Sequence, residues 1–200
     1  ELLLVEKAAV DKARTDGVTP LMMAAQGGHG DVVKLLLAAN AEVNNAATDG
    51  ATAIWIAAQG GNAGLVALLL AAKADVNKAK ADGATPLFGA AQEGHAGVVK
   101  ALLAASADVN KARIDGTTPL LMASQEGYIE VVKLLLAAGA DVNRATTNGA
   151  APLLLASEEG HGDIVKLLLA ASAEVNRTAK NGAIEGITPL LVAMKEGHPE

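Results

Sequence analysis

Residues 16–48 read DGVTPLMMAAQGGHGDVVKLLLAANAEVNNAAT, and this stretch decides the fold. Its first two residues, Asp16-Gly17, predict a turn, because glycine readily adopts a positive φ. Thr19 predicts a helix cap and Pro20 the first helical position, where the missing N–H of proline has no helical partner to lose. We therefore expect a short first helix that ends near Gly27-Gly28.

The same stretch predicts a second helix, which begins near Asp31. The carboxylate of Asp31 suits the positive end of the helix dipole. One apolar face is formed by Val32, Val33, Leu36 and Leu37. Asn40 is suited to the left-handed backbone that often ends a helix. Neither helix is long enough to be stable alone, so neighbouring elements must cover the apolar faces.

The turn of this stretch recurs along the chain with a period of 33 residues (49 − 16 = 33). The turn dipeptides are Asp16-Gly17, Asp49-Gly50, Asp82-Gly83, Asp115-Gly116 and Asn148-Gly149. Two further rows keep the same step: Asn44, Asn77, Asn110, Asn143 and Asn176, and Gly28, Gly61, Gly94, Gly127 and Gly160. Three rows in one register indicate a tandem array of a single structural unit.

The composition excludes several functional classes. The 200 residues are 51% hydrophobic and 19% charged, which is too apolar for a disordered chain. The sequence has no cysteine, which excludes a disulfide scaffold, a thiolate zinc site and a cysteine nucleophile. A net charge of −6 disfavours nonspecific binding to nucleic acid or to an anionic membrane. Because lysines interrupt the longest apolar runs, none approaches the ~18 residues of a membrane-spanning helix, and we expect no direct membrane insertion.

The order of motifs within each unit resembles the ankyrin repeat. Thr-Pro-Leu opens the first helix at 118–120, and Gly-His separates the helices at 94–95. Val-Val-Lys-Leu-Leu-Leu forms the second helix at 131–136, and Gly-Ala-Asp-Val-Asn follows at 139–143. The resemblance covers essentially the whole chain. It implies an all-α solenoid of stacked antiparallel helix pairs, with β-turn fingers along one edge, and an intracellular, cytoplasmic setting.

The resemblance implies a single domain over residues 1–200. Its expected divisions are 1–15 (a second helix only), 16–48, 49–81, 82–114, 115–147, 148–184 and 185–200 (a first helix only). Neither end has a polar capping repeat, and two explanations stay open: a piece of a longer chain, or an end shielded by a partner or by self-association. Asn148 and Glu185 are 37 residues apart, so the last finger should be four residues longer, with Asn181-Gly182 and Glu185-Gly186 as competing turns.

Several positions depart from the family pattern. The family usually has histidine after Thr-Pro-Leu, and here apolar residues are expected to replace its hydrogen bonds by packing in every unit: Met22, Trp55, Phe88, Leu121, Leu154 and Leu191. Glycine usually follows the second helix, yet only Gly139 does so, and left-handed backbone costs ~1 kcal/mol or more for residues such as Lys73. The units from Asp49 and Asn148 lack a proline and a capping threonine respectively. We expect these two units to be less stable.

No arrangement of residues predicts catalysis, a cofactor or a metal. The histidines His29, His95, His161 and His198 occupy one slot in successive units. Because packed helices lie ~8–10 Å apart, histidines of different units cannot share a metal whose bonds are ~2 Å long, so we expect structural hydrogen bonds to the turn between helices. The serines lack a nucleophile-elbow motif, and the glycine-rich runs lack the following Lys-Ser/Thr of a phosphate-binding loop.

Two charged rows and two aromatic residues leave alternatives open. An acidic row lies at the end of the first helices and grows towards the C-terminus: Glu93, Glu126, Glu158, Glu159 and Glu196. This row is either a solvated face or a groove that prefers a basic partner. A basic row, Lys12, Lys78, Lys111, Arg144 and Arg177, is expected to pair with finger aspartates at little gain in stability. Trp55 and Phe88 are either inter-repeat packing or an exposed patch that anchors a partner.

The sequence favours a non-catalytic scaffold that binds a protein partner along the finger tips and the concave helix face. The resemblance implies that these positions hold the partner: Thr15, Asp16, Val18, Gln26, Thr48, Asp49, Ala51, Gln59, Asp82, Ala84, Gln92, Glu93, Asp115, Thr117, Gln125, Glu126, Asn148, Ala150, Glu158 and Glu159. The partner should be basic where it faces the C-terminal repeats. Two alternatives are a structural spacer or spring, and a regulatory domain, each within a longer chain or larger complex.

Overall fold

The computed structural model describes residues 9–181 and 184–195. Eleven helices lie within these residues, arranged as pairs of a shorter first helix and a longer second helix. The first helices are α1 Pro20–Gln26, α3 Ala53–Gln59, α5 Pro86–Gln92, α7 Pro119–Gln125, α9 Pro152–Glu158 and α11 Pro189–Lys195. The second helices are α2 Gly30–Ala38, α4 Ala63–Ala71, α6 Ala96–Ala104, α8 Ile129–Ala137 and α10 Gly162–Ala170. Each of the five complete pairs falls inside one predicted repeat, four of 33 residues and the last, 148–184, of 37, so the all-α repeat architecture is confirmed.

The chain divides into two compact units, Glu1–Ala107 and Asp108–Glu200. In the first unit α1, α3 and α5 pack side by side, and α2, α4 and α6 form a second row behind them. In the second unit α7, α9 and α11 form one row, and α8 and α10 form the other. The expectation of a single domain over residues 1–200 stays a prediction. The N-terminal half-repeat lies largely outside the described residues.

The core is a series of thin apolar layers made mainly by the predicted faces of both helices. The prediction is wrong at Val32, which is 45% exposed, because only Val33 and Leu36 of the four residues predicted for that face are buried in the layer. In the repeat 16–48, Leu21 of α1 and Val33 of α2 are 1% and 0% exposed. Ile54 and Val66 occupy the equivalent places in the next repeat, and both are 0% exposed. Since each seven- to nine-residue helix is too short to be stable alone, its stability comes from this burial between neighbours.

Threonine caps begin the first helices as predicted. The side-chain oxygens of Thr19, Thr52, Thr85 and Thr118 accept hydrogen bonds from the backbone N–H three residues later, at 3.2–3.4 Å. Ala151 holds the same backbone conformation before α9 but has no side-chain oxygen to offer. The helix α9 therefore forms without its cap, as its sequence predicts.

The second helices end in left-handed backbone, also as predicted. Asn40, Lys73, Ser106 and Ser172 have φ between 61° and 67°, and Gly139 has φ 83°. Asparagines of the predicted row then connect consecutive repeats. The side-chain oxygen of Asn44 accepts from Asp75 N–H at 2.7 Å, and its amide donates to the Lys73 carbonyl at 3.3 Å. Asn110 and Asn143 repeat this arrangement in the second unit.

In most repeats, but not in all, a buried apolar residue stands where the family usually has the histidine after Thr-Pro-Leu. Met22, Phe88, Leu121 and Leu154 are buried, with 1–5% of their surface exposed. Trp55 is only half-buried. The expectation is wrong at Leu191 of α11, which is 58% exposed.

The last finger differs from the others. Strands β1 Ala179–Asn181 and β2 Ile184–Ile187 pair in antiparallel fashion, with Ala179 opposite Ile187 and Asn181 opposite Ile184. This hairpin occupies the segment in which the repeat period is four residues longer. One of the two competing turns, Asn181-Gly182, lies partly outside the described residues.

Candidate protein-binding surface

The fingers are tight turns that hydrogen bonds join into a row. In the first unit, the N–H groups of Arg14, Ala47 and Lys80 each donate to the carbonyl four residues later, at 2.9 Å. Neighbouring fingers are linked because Thr48 N–H donates to the Asp16 carbonyl and Ala81 N–H donates to the Asp49 carbonyl, both at 2.9 Å. The second unit has the matching link from Thr147 to Asp115. Each unit thus presents a fixed finger edge rather than separate loops.

The finger aspartates serve the fingers themselves. Oδ1 of Asp49 accepts from Ala51 N–H at 3.0 Å, and its Oδ2 lies 2.9 Å from the Lys80 ammonium. The Ala51 N–H, followed by the Lys80 ammonium, lowers the pKa of Asp49. Asp16 and Asp115 likewise accept from the N–H two residues later, but their ion pairs lie within their own fingers, with Arg14 at 3.1 Å and Arg113 at 3.7 Å, whereas Lys80 belongs to the finger after that of Asp49. A bound protein would therefore meet aspartates whose carboxylates are already hydrogen-bonded and ion-paired within the chain.

The pKa of Asp115, another finger aspartate, is also shifted, and its causes show which interactions dominate at these turns. Burial alone would raise the pKa of Asp115. The backbone N–H and the hydroxyl of Thr117 act in the opposite direction, as does the Arg113 guanidinium, and together they place the pKa of Asp115 below its ordinary value. Asp115 is thus held in its ionised form as part of the turn.

The predicted partner-binding residues divide into accessible and buried ones. Ala51, Ala84, Thr117 and Ala150, which follow the turn glycines, are only 3–8% exposed and offer a partner almost no surface. Val18, Asp16 and Asp82 are half-buried, as are Gln59, Gln92 and Gln125. The exposed members are Thr15, Gln26, Thr48, Asp49, Glu93, Asp115, Glu126, Asn148, Glu158 and Glu159. The accessible surface consists mainly of finger tips and the ends of first helices.

A groove of about 710 Å³ lies in the first unit, between the fingers and the first helices. Eight predicted residues line it: Asp16, Val18, Gln26, Thr48, Asp49, Ala51, Gln59 and Glu93. The rest of its lining is formed by small residues together with Trp55, Ile56 and Asn62; the small residues are Ala25, Gly28, Ala47, Ala57 and Gly60. This is the place where the structure collects the largest number of the predicted residues of the first unit.

Trp55 forms part of this groove and is fixed by its neighbours. The Lys80 ammonium lies 4.3 Å from the centre of the indole ring, a cation–π distance. A Cβ atom at Gly89 would lie 3.7 Å from Cε2 and Nε1 of the indole, so the edge of the ring rests against that glycine. Phe88, the other aromatic candidate, is 2% exposed and is core packing. Of the two aromatic residues, only Trp55 is exposed enough to contact a protein partner.

His95 and His161 make structural hydrogen bonds between repeats. His95 Nε2 lies 2.9 Å from the carbonyl oxygen of Gln59, and His161 Nε2 lies 2.9 Å from that of Gln125. Because a carbonyl oxygen only accepts, the imidazole donates. The bond goes to the end of the first helix one repeat earlier, rather than to the histidine's own turn. Among residues 9–181 and 184–195, no cluster of three or more His, Asp or Glu side chains could hold a metal ion.

The charged rows behave differently from expectation. The predicted pairing of the basic row with finger aspartates is wrong for Lys78, which donates to the Asn44 carbonyl at 2.8 Å, and for Arg177, which lies 3.3 Å from Glu174. The finger aspartates pair instead with Arg14, Lys80 and Arg113. In the acidic row, Glu93, Glu126, Glu158 and Glu159 are exposed, and Glu196 lies outside the described residues.

Sequence reasoning missed Arg14, Lys80 and Arg113 as partners of the fingers. A signal for them exists, because they stand at one register position (80 − 47 = 33 and 113 − 80 = 33), with Ala47 between Arg14 and Lys80. Each lies two residues before a turn aspartate. A search for charged residues in register with the turns would have found all three.

Within the part of the chain that the structure describes, no helix is long and apolar enough to cross a membrane. No curated protein matches the chain. A family model for ankyrin repeats (three copies) matches residues 1–80, 39–113, 62–146 and 106–179. These matches run through the unit boundaries deduced from the period and through all five complete helix pairs. The chain therefore belongs to the ankyrin repeat family.

Proposed function

We propose that this chain is a non-catalytic scaffold that binds a protein partner along its fingers and along the ends of its first helices. Ankyrin repeats are generally modules of protein–protein interaction. The groove of the first unit carries the proposal, because eight of the predicted binding residues line it, and Gln26, Thr48, Asp49 and Glu93 among them are exposed. The framework residues of the repeats are occupied with packing, which leaves these positions free to contact a partner. The intracellular setting that the family implies stays a prediction.

The acidic surface of the second unit supports a partner that is basic where it meets these repeats. Glu126 follows α7, and Glu158 and Glu159 stand at the end of α9, all three of them exposed. Opposite charges across an interface speed association and exclude partners of the wrong charge. Because the repeats are rigid, little conformational entropy is lost when they bind.

Site-directed photocrosslinking tests the binding surface. A photoreactive amino acid replaces Gln59 in the groove, and in a matched variant it replaces Lys34, an exposed residue of α2 that does not line the groove. We expect mass spectrometry to identify a protein crosslinked through position 59 and not through position 34. Equal crosslinking at both positions, or none at position 59, would contradict the proposed function.

Charge reversal then tests the acidic surface with the protein so identified. We expect the triple change Glu126→Lys, Glu158→Lys and Glu159→Lys to weaken binding roughly tenfold or more at low salt. The matched control reverses Glu130, Asp163 and Glu174, which are acidic residues of the same unit outside the acidic row and alter the net charge equally. If both triple variants lose affinity to the same degree, the effect belongs to net charge and the acidic surface has no specific role.

A further inference from the structure

We propose that the groove of the first unit accepts a histidine side chain of the bound protein, in a slot that the chain's own histidines fill in other repeats. The slot is formed by Gln26, Gly28 and Asn62, which all line the groove, and it lies between the repeats 16–48 and 49–81. This inference rests on the proposed function and names the side chain by which the partner is recognised there.

Two other places in the chain show the slot when a ring fills it. His95 Nε2 donates to the carbonyl oxygen of Gln59 at 2.9 Å. The same ring covers Gly61 so closely that a Cβ atom there would lie 2.7 Å from the ring carbon Cε1. His161 makes both contacts with the matching residues of the repeat before it, at the same two distances. The imidazole thus binds the last carbonyl of the preceding first helix and packs on the glycine two residues later.

The slot between the first two complete repeats holds no ring. Asn62 stands at the histidine position, and its side-chain oxygen accepts from Leu65 N–H at 3.1 Å to cap α4. A Cβ atom placed on Gly28 would lie 3.5 Å from the amide nitrogen of Asn62, an ordinary contact, so the space directly over this glycine is free. The carbonyl oxygen of Gln26 accepts no hydrogen bond from the described residues.

The free slot has an acceptor at one end and a bare glycine along its side. The acceptor requires an N–H donor, and the glycine, which has no side chain, lets a flat group lie against its backbone. A histidine side chain meets both requirements, because its neutral ring carries one N–H and has the shape that the two filled slots already hold. A lysine would supply a donor without the ring face, and a phenylalanine the ring face without a donor.

The expected contribution to affinity is modest and specific. The carbonyl of Gln26 is bound to water in the free chain, so the new hydrogen bond replaces one that already exists. Its net effect on a dissociation constant is therefore roughly two- to tenfold. Packing of the ring on Gly28 adds to this, and the histidine acts as one anchor within a larger interface.

The first test titrates imidazole into the full-length, nitrogen-15-labelled chain while the amide chemical shifts are recorded by NMR. At about pH 8 most of the free ring is neutral. The matched probe is 1-methylimidazole, which keeps the ring but has no N–H. We expect saturable shifts centred on Gly28 with imidazole, with a dissociation constant on the order of 10 mM, and roughly threefold or weaker binding of 1-methylimidazole. Equal binding of the two probes, or no shift at Gly28, would overturn the proposal.

Two substitutions to histidine locate the binding. Asn62→His fills the slot with a ring of the chain itself, whereas Tyr128→His places a histidine at the same register position outside the groove. Because histidine already stands at this position in other repeats, both variants are compatible with the fold. We expect Asn62→His to abolish the shifts at Gly28, and Tyr128→His to change the affinity for imidazole less than about twofold. Unchanged binding to the Asn62→His variant would refute a site in this slot.

The protein captured by crosslinking through position 59 provides the last comparison. We expect Asn62→His to weaken its binding roughly tenfold, and one histidine-to-alanine substitution in that protein to cause a similar loss. Undiminished binding to the Asn62→His variant would contradict the slot. Capture through position 59 combined with failure of imidazole to bind would sink only this inference and leave the proposed function standing.

Discussion

Four residues other than glycine adopt left-handed backbone in the described part of the chain, each directly after a second helix. Asn40, Lys73, Ser106 and Ser172 have φ of 61–67° there. Asparagine tolerates this conformation, whereas a lysine or serine Cβ crowds the following carbonyl oxygen at a cost of ~1–2 kcal/mol. The fold keeps the conformation because the carbonyl of Lys73 and the N–H of Asp75 both bind the side chain of Asn44. Tertiary hydrogen bonds thus override a local preference.

Lys73→Gly should stabilise the chain. The substitution removes ~1–2 kcal/mol of backbone strain. The greater freedom of glycine in the unfolded chain opposes this stabilisation by ~0.4–1 kcal/mol. We expect a net increase of about 0.5–1 kcal/mol in the free energy of unfolding, measured by urea denaturation. The Asn44 hydrogen bonds involve only backbone atoms at positions 73 and 75, so the variant retains them.

Gly139→Ala is the matched control at the same register position. Gly139 has φ 83°, and a Cβ added to it would meet no atom within 4 Å, so backbone strain is the only penalty. We expect a loss of about 0.5–1 kcal/mol. A Lys73→Gly variant that is less stable than the parent chain would show that the lysine side chain contributes more than its strain removes.

The ionisation of Asp49 makes the finger row sensitive to acid. Its pKa is lowered in the folded chain, so the folded state binds this proton less readily than the unfolded state does. The stabilisation is therefore present above the unfolded pKa and is lost as pH falls through the folded pKa. We expect Asp49→Asn, which keeps an acceptor for Ala51 N–H, to reduce the free energy of unfolding at neutral pH by at most about 1 kcal/mol. The difference between the two chains should vanish well below pH ~3.9 in acid titrations of stability; a constant difference would contradict it.

At the scale of the helices, the capping threonines predicted where four first helices begin, and the apolar periodicity predicted most of the residues that the helices bury. The Thr-Pro starts and the left-handed ends are where the period places them. The candidate site was less predictable, because the period identifies a register position and not its accessibility. Ala51 and Thr117 share a register with the variable finger positions yet lie against the first helix, and the finger aspartates turn to internal cations. Burial depends on how consecutive repeats close over one another, which one repeat alone does not specify.

Ala151→Thr should restore the missing cap of α9. The four threonine caps are 0–3% exposed and Ala151 is 5% exposed in the same conformation, so the added hydroxyl has an equivalent place. The Leu154 N–H that it would bind donates to the Ala151 carbonyl at 3.0 Å, so the hydroxyl would share or replace that hydrogen bond. We expect the free energy of unfolding to rise by about 1 kcal/mol, measured by circular dichroism in urea. Thr118→Ala, the inverse change before α7, should lower it by a similar amount. No gain from Ala151→Thr beside a clear loss from Thr118→Ala would mean that α9 is capped by other means.

For the molecule as a whole, the sequence predicts a linear array of repeats, and within each of the two compact units each repeat packs on its neighbours. The exception is the last finger, where four extra residues break the period and a hairpin replaces the tight turn. The partner is not encoded in the framework at all. What identifies a candidate surface is the set of residues that packing does not use, such as Gln26, Gln59 and Glu93, together with the groove that they line.

Such an architecture should not unfold in a single step, because stability in repeat arrays is a sum over repeats and their interfaces. The repeat 148–184 combines an uncapped α9 with the strained Ser172, so we expect it to unfold first in urea. Circular dichroism reports on all helices, whereas Trp55 fluorescence reports on the repeat 49–81 and on its contact with Gly89 of the next repeat, so the dichroism transition should begin at lower urea. Ala151→Thr should shift the early part of the dichroism transition by roughly 0.5 M and leave the Trp55 midpoint in place. Superimposable transitions that move together in this variant would show instead that the chain unfolds as one cooperative body.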